Sequence, residues 1–185
     1  GSGKSLTMMF TVREMYHHTQ LNDWKIVFIT DRTQLEEQLK NTSKGVGFTV
    51  KVADSIKKLK LLLSNPSSDL VMGMIHKFQE RDLLETFPEL NTSPKILIMT
   101  DEAHRSQYAI LAANLDKALP EATEIAYTGT PTDKTEKKYK DYIDKYTMRQ
   151  SIDDGVTLEI VYEGRTHKGG VGDKKSMDKK FADVF

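Results

Sequence analysis

The sequence has no cysteine, which excludes disulfides and thiolate metal sites and fits a reducing compartment; a cytoplasmic location is expected. It has no excess of charge either, with Lys plus Arg and Asp plus Glu at 27 each. No net field is available to recruit nucleic acid, so any such contact must be local or supplied by other parts of the molecule. No apolar run approaches the length of a membrane span, about 20 residues, and no signal peptide is visible, so no membrane partner is expected. What is present is 185 residues, 29% of them charged and 38% hydrophobic. That suits one globular domain with a real core, plus a remainder. The chain opens at Gly1 inside a motif and is read as a piece of a longer protein.

The most informative stretch is Lys95-Ile96-Leu97-Ile98-Met99-Thr100-Asp101-Glu102-Ala103-His104. Ile96 to Met99 offers no polar side, as expected of a strand buried on both faces. Two carboxylates where such a strand emerges face the crevice in which open α/β sheets bind ligands. Burying them calls for a metal ion or a strong partner. A solvated acidic turn would leave the same four letters, and the choice depends on the chain's first residues. Gly1-Ser2-Gly3-Lys4-Ser5 runs into a helix-like stretch and matches the end of the phosphate-cradling pattern G-x-x-x-x-G-K-[ST]. Glycines let backbone N–H groups close around a phosphate, and a helix N-terminus adds about half a positive charge. Lys4 would then reach the outer phosphates of ATP, and the Ser5 hydroxyl would sit on Mg²⁺. A flexible linker could carry the same five letters. Each motif becomes specific through the other.

Strands are expected over 24–30, 48–53, 70–75, 95–99, 124–127 and 156–162. Helices are expected over 31–40, 54–63 and 109–118, and a charged surface helix over 132–145. Glycine-containing loops are read at 41–47 and 151–155, and the Gly- and Lys-rich 167–180 as a linker. This alternation predicts an α/β domain with a mainly parallel central sheet. The division expected is 1–150 for the domain and 151–185 for a linker or the start of a second one. Thr30-Asp31-Arg32, His76-Lys77 and Thr128-Gly129-Thr130-Pro131 each follow a predicted strand, on the functional edge of such a sheet. His17 and His18 read as solvated.

Lys4-Ser5, Asp101–His104 and Thr128–Pro131 occur in the order of motifs I, II and III of superfamily 2 helicase-like motors. The sequence resembles more closely the restriction (R) subunit of type I restriction-modification enzymes. Asp101-Glu102-Ala103-His104-Arg105-Ser106-Gln107-Tyr108 is similar to its signature, and Gly1–Met8 to its phosphate loop. Thr30-Asp31-Arg32 with Leu35 and Gln38-Leu39, Tyr127–Pro131, and Asp153-Asp154-Gly155 with Tyr162-Glu163 complete the set. Two stretches depart from the pattern. Met74-Ile75-His76-Lys77-Phe78 stands where a threonine and a glutamine are usual, and Thr100 replaces an apolar residue.

The resemblance implies a three-layer RecA-like (P-loop NTPase) domain and an ATP-driven translocase on double-stranded DNA. Such a motor works with modification (methyltransferase) and specificity subunits and cuts DNA far from its recognition site. It also implies roles. Lys4 neutralises charge on the transferred phosphate, Ser5 and Asp101 hold Mg²⁺, and Glu102 activates the attacking water. Gly1, Ser2 and Gly3 complete the nucleotide loop. His104, Thr128, Gly129 and Thr130 couple the nucleotide state to DNA grip, and Thr30, Arg32, His76 and Lys77 are candidate DNA contacts. An arginine from a second RecA-like domain completes such sites, so the piece alone is expected to bind ATP weakly and not turn it over. The alternatives are another superfamily 2 ATPase acting on DNA or RNA, and a non-catalytic assembly module.

Overall fold

The computed structural model describes residues 3–31, 33–45, 47–79, 87–101, 109–139 and 141–159. The chain divides into two compact units, Gly1–Tyr142 and Ile143–Phe185. In the first, the order is α1 (Lys4–His17), β1 (Lys25–Thr30), α2 (Thr33–Gly45), β2 (Lys51–Val52), α3 (Ile56–Ser64) and β3 (Leu70–Met74). A 3-10 turn (Ile75–Lys77) follows, then β4 (Ile96–Asp101), α4 (Ala109–Ala118), β5 (Thr123–Tyr127) and α5 (Asp133–Tyr139). The five strands form one sheet in the order β2-β3-β1-β4-β5, and every pairing is parallel. Among the described residues no helix is long and apolar enough to cross a membrane.

The three layers follow from alternation along strands whose two faces are both apolar. Val27 and Ile29 of β1, Val71 of β3, and Ile96 and Ile98 of β4 point to one side. There they meet Leu59, Leu62 and Leu63 of α3 and Leu115 and Ala118 of α4. The intervening Ile26, Phe28, Leu70, Met72, Leu97 and Met99 point to the other side. They meet Met8, Met9, Val12 and Met15 of α1 and Leu39 of α2. Each such side chain taken from water stabilises the fold by about 1.5–3 kcal/mol before the cost of ordering the chain. On β3, a Cβ added to Gly73 would sit 2.9 Å from the Leu59 side chain. The glycine lets α3 lie close against the sheet. α3 itself starts where Ser55 caps it, the hydroxyl accepting from the Lys58 N–H.

This is the parallel α/β, RecA-like architecture the sequence predicts, with five local differences. Asn41–Gly45, expected as loop, continues α2. The strand expected over 48–53 shrinks to Lys51–Val52, because the Phe48 N–H bonds back to the Ser43 carbonyl instead of joining the ladder. The helix expected over 132–145 holds only for Asp133–Tyr139 and is no simple surface helix, since Thr135 is buried and Tyr139 half-buried. In the second unit α6 (Met148–Asp153) occupies part of the expected turn, held by a reciprocal capping box between Thr147 and Gln150. Gly155 then turns at φ +70°, and the Val156 N–H bonds back to the Ser151 carbonyl. Val156–Glu159 is therefore not a strand, and the rest of that expected run, like 167–180, lies outside the described residues.

Candidate active site

The helices that follow β1 and β4 leave the sheet on opposite faces, α2 packing with one core and α4 with the other. Adjacent strands whose connections diverge open a crevice at their carboxyl ends, where α/β sheets of this kind bind ligands. Thr30 ends β1 there, with Asp31 next, and Asp101 ends β4, beside it in register, since Ile29 pairs with Thr100. Thr128 follows β5, with Asp101 paired to Tyr127.

α1 points its N-terminus at this edge. Gly3 precedes it at φ 71°, in the left-handed region that costs glycine little, and its carbonyl accepts the Thr7 N–H at 3.0 Å. No side chain caps this helix end, leaving its N–H groups directed outward, as an anion requires. Lys4 is the first helical residue, and its Nζ lies 3.4 Å from Oδ1 of Asp101. The Asp101 side chain is 4% exposed and that of Lys4 26%. The acid is thus fixed inside while the ammonium still reaches solvent. Ser5 is buried just behind. A carboxylate and an ammonium from distant parts of the chain meet at the mouth of a helix dipole, and the next residue of that helix carries a buried hydroxyl. The oxygens suit magnesium, a hard cation that takes one or two protein oxygens and completes its shell with water and phosphate.

The other candidates fall out unevenly. Thr30 is buried at the end of β1. His76 is exposed in the turn after β3, whereas Lys77 is half-buried and its ammonium donates to the Ala53 carbonyl at 2.6 Å, fastening that turn to the end of β2. Thr128 is half-buried, Gly129 and Thr130 are exposed, and the Thr130 N–H donates to the Thr128 hydroxyl at 3.1 Å, which shapes the turn. Gly1, Ser2, Arg32, Glu102 and His104 lie outside the described residues. The imidazoles of His17 and His18 are exposed, as expected.

Two contacts near this edge have no signature in the sequence. Tyr127 is hydrogen-bonded to Thr11 of α1; burial raises its phenol above the usual range, and that bond opposes the rise. On the opposite face, Glu124 of β5 accepts from the Thr100 hydroxyl at 2.8 Å and from the Tyr139 hydroxyl at 2.6 Å. Its other oxygen pairs with Lys138 at 2.8 Å. Burial, followed by the Glu124 charge, drives the Tyr139 phenol far above its ordinary value. A glutamate in an apolar strand and a tyrosine in a charged helix were the available signals, but neither spacing links them.

The SWI2/SNF2 ATPase family model matches residues 1–185. The chain is 32% identical, across its whole length, to the type I restriction enzyme HindI endonuclease subunit of Haemophilus influenzae. It is 37% identical over 169 residues, 89% of the chain, to the inferred type I restriction enzyme MjaIXP endonuclease subunit of Methanocaldococcus jannaschii. It spans 19% and 16% of those two proteins, respectively. Among solved structures, the helicase domain of Pyrococcus furiosus Hef matches 74% of the chain, and 27% of its own, at 16% identity and a TM-score of 0.42.

Proposed function

This chain belongs to the SWI2/SNF2 ATPase family, and from that premise we propose that it is the first motor domain of a type I restriction endonuclease R subunit, where ATP hydrolysis drives translocation along double-stranded DNA before remote cleavage. The observation that carries the reading is the 3.4 Å approach of Lys4 to a buried Asp101 at the head of α1. Similarity to endonuclease subunits supports the restriction assignment.

The roles follow from the chemistry of each group. The N–H groups at the start of α1, with Gly1, Ser2 and Gly3, cradle the nucleotide phosphates. Lys4 swings from Asp101 to the phosphate oxygens, where its charge opposes the negative charge that develops as the bond breaks. Ser5 and Asp101 would hold magnesium, which would supply neutralisation of phosphate charge. Glu102 orients or deprotonates the attacking water. His104, Thr128, Gly129 and Thr130 relate that event to DNA grip, and Arg32 and His76 are the candidates for touching DNA, since Thr30 is buried and the Lys77 ammonium is held by the Ala53 carbonyl. Modification and specificity subunits are the partners, and a second domain supplies the missing arginine. The boundary falls near residue 150, and the working compartment is the cytoplasm. The isolated piece binds ATP weakly and does not turn it over.

The test is ATP hydrolysis by the full-length parent assembled with its partner subunits. Three substrates are compared: unmethylated duplex carrying the cognate site, the same duplex methylated, and RNA. Turnover only with unmethylated duplex, lost on Glu102→Gln while ATP binding persists, is the expected result. Turnover with RNA, or indifference to methylation, moves the protein to another branch of the motor superfamily and ends the restriction reading.

A further inference from the structure

Thr100 breaks the apolar run of β4 one residue before Asp101. The sheet accounts for it. Ile98 pairs with Glu124 in the parallel ladder between β4 and β5, and Thr100, two residues on, shares that face. Its hydroxyl reaches the Glu124 carboxylate at 2.8 Å. The same carboxylate oxygen accepts from Tyr139 of α5 at 2.6 Å. The second oxygen is paired with Lys138, which also reaches Asp116 of α4 at 3.1 Å. The Glu124 side chain is 13% exposed, so its charge is held by defined donors and only lightly by water. Charge-assisted bonds of this kind are short and directional, and a half-satisfied buried network is costly. Its members therefore move together.

The placement matters more than the strength. β4 ends in Asp101 and β5 leads directly into Thr128–Pro131. α5 begins two residues after Pro131, at Asp133, with the Thr132 hydroxyl accepting from the Thr135 N–H. We propose that Thr100, Glu124 and Tyr139 are positioning residues that lock α5 to β4, which ends in Asp101, and to β5, which leads into Thr128, so that a shift at the nucleotide edge is passed into α5 instead of being absorbed by the turn between. The inference rests on the motor reading above and adds to it a transmission element on the face of the sheet away from α1. Tyr139 contributes a donor that stays protonated throughout the physiological range, since burial and the Glu124 charge both hold its proton in place.

The experiment uses the full-length parent with its partner subunits and reads ATP consumed per base pair translocated. DNA-independent hydrolysis, the KM for ATP and the melting temperature are followed alongside. Tyr139→Phe and Thr100→Val each remove one hydroxyl and keep the shape, and Thr100→Ser restores a donor. ATP consumed per base pair should rise about tenfold in Tyr139→Phe, a coupling loss of ordinary size for linked sites. It should rise less in Thr100→Val and return to the wild-type value in Thr100→Ser. The KM and the DNA-independent rate should stay at wild-type values. Unchanged consumption per base pair in both Tyr139→Phe and Thr100→Val, whatever happens to their stability, overturns this inference alone. A wild-type parent whose hydrolysis ignores DNA overturns the motor reading, and this inference with it.

Discussion

The two edges of the sheet each carry a lysine–aspartate pair, and they differ in every respect that matters. At the amino edge Lys25, the first residue of β1, is 3% exposed and lies 3.8 Å from Asp69. Its ammonium also donates to the Leu62 carbonyl at 3.1 Å, at the C-terminal end of α3. Asp69 is closed off in turn by Lys51 at 2.6 Å and by the Ser67 hydroxyl. The pair is thus a clasp joining β1, β2, β3 and α3. At the carboxyl edge Lys4 and Asp101 stand 3.4 Å apart, with the lysine side chain 26% exposed. An ammonium anchored to a backbone carbonyl and a strand cannot be lent to a substrate, whereas one at the head of a helix, open to solvent, can. The two pairs show one residue combination enclosed as architecture at one edge and, under the proposed function, left accessible for chemistry at the other.

The comparison can be broken from either side. The largest effect is expected at the carboxyl edge: Lys4→Ala in the assembled parent should lower ATP turnover by about 10²–10³-fold, with the urea midpoint of the protein little changed. Turnover within a few-fold of wild type would remove Lys4 from the chemistry. At the amino edge the pattern should invert. Lys25→Ala leaves a carbonyl without its donor and Asp69 short of one cation, and should cost about 3 kcal/mol of unfolding free energy with no change in the KM for ATP. Lys25→Met keeps the buried stem and removes only the ammonium, so most of that loss, about 2 kcal/mol, should remain; a loss near zero in Lys25→Met would mean that packing of the stem, not the ammonium, holds the clasp.

The smallest effect is one of pH. Burial, the largest influence, raises the Asp69 carboxyl, but the bonds from Lys51 and Ser67 and the charge of Lys25 outweigh it and hold the group below its usual 3.8. Its contribution to stability is therefore complete above that usual value and is lost as the pH falls through the lower folded value. Urea titrations of wild type and Asp69→Asn should accordingly run parallel from neutrality down to about pH 4 and converge below it. Curves that stay parallel into strong acid would show that Asp69 carries no such linkage.

Most of the scaffold was legible because apolar runs and caps are local facts. β1, β3, β4 and β5 fall within two residues of their expected spans, since Ile, Val, Leu and Met without an alternating polar side leave few other solutions. Local signals failed where a contact outside the regular repeat decided the matter. Phe48 turned back to Ser43, and the 132–145 stretch kept its helix only up to Tyr139. Lys77 offers the same lesson within the candidate set. Its position after a strand made it a candidate DNA contact, yet its ammonium is spent on the Ala53 carbonyl.

Composition and motif order by themselves determined the class of fold, the parallel sheet, and Lys4, Ser5 and Asp101 as residues suited to nucleotide chemistry. They could do so because strand burial and phosphate binding each impose residue types over a few consecutive positions. The approach of Lys4 to Asp101, the enclosure of Lys25 by Asp69 and Leu62, and the junction of Thr100, Glu124 and Tyr139 were decided only by the tertiary structure. Each joins segments far apart in the chain, and the partner of a charge is fixed by which strand lies beside which, a choice that no local run of side chains encodes.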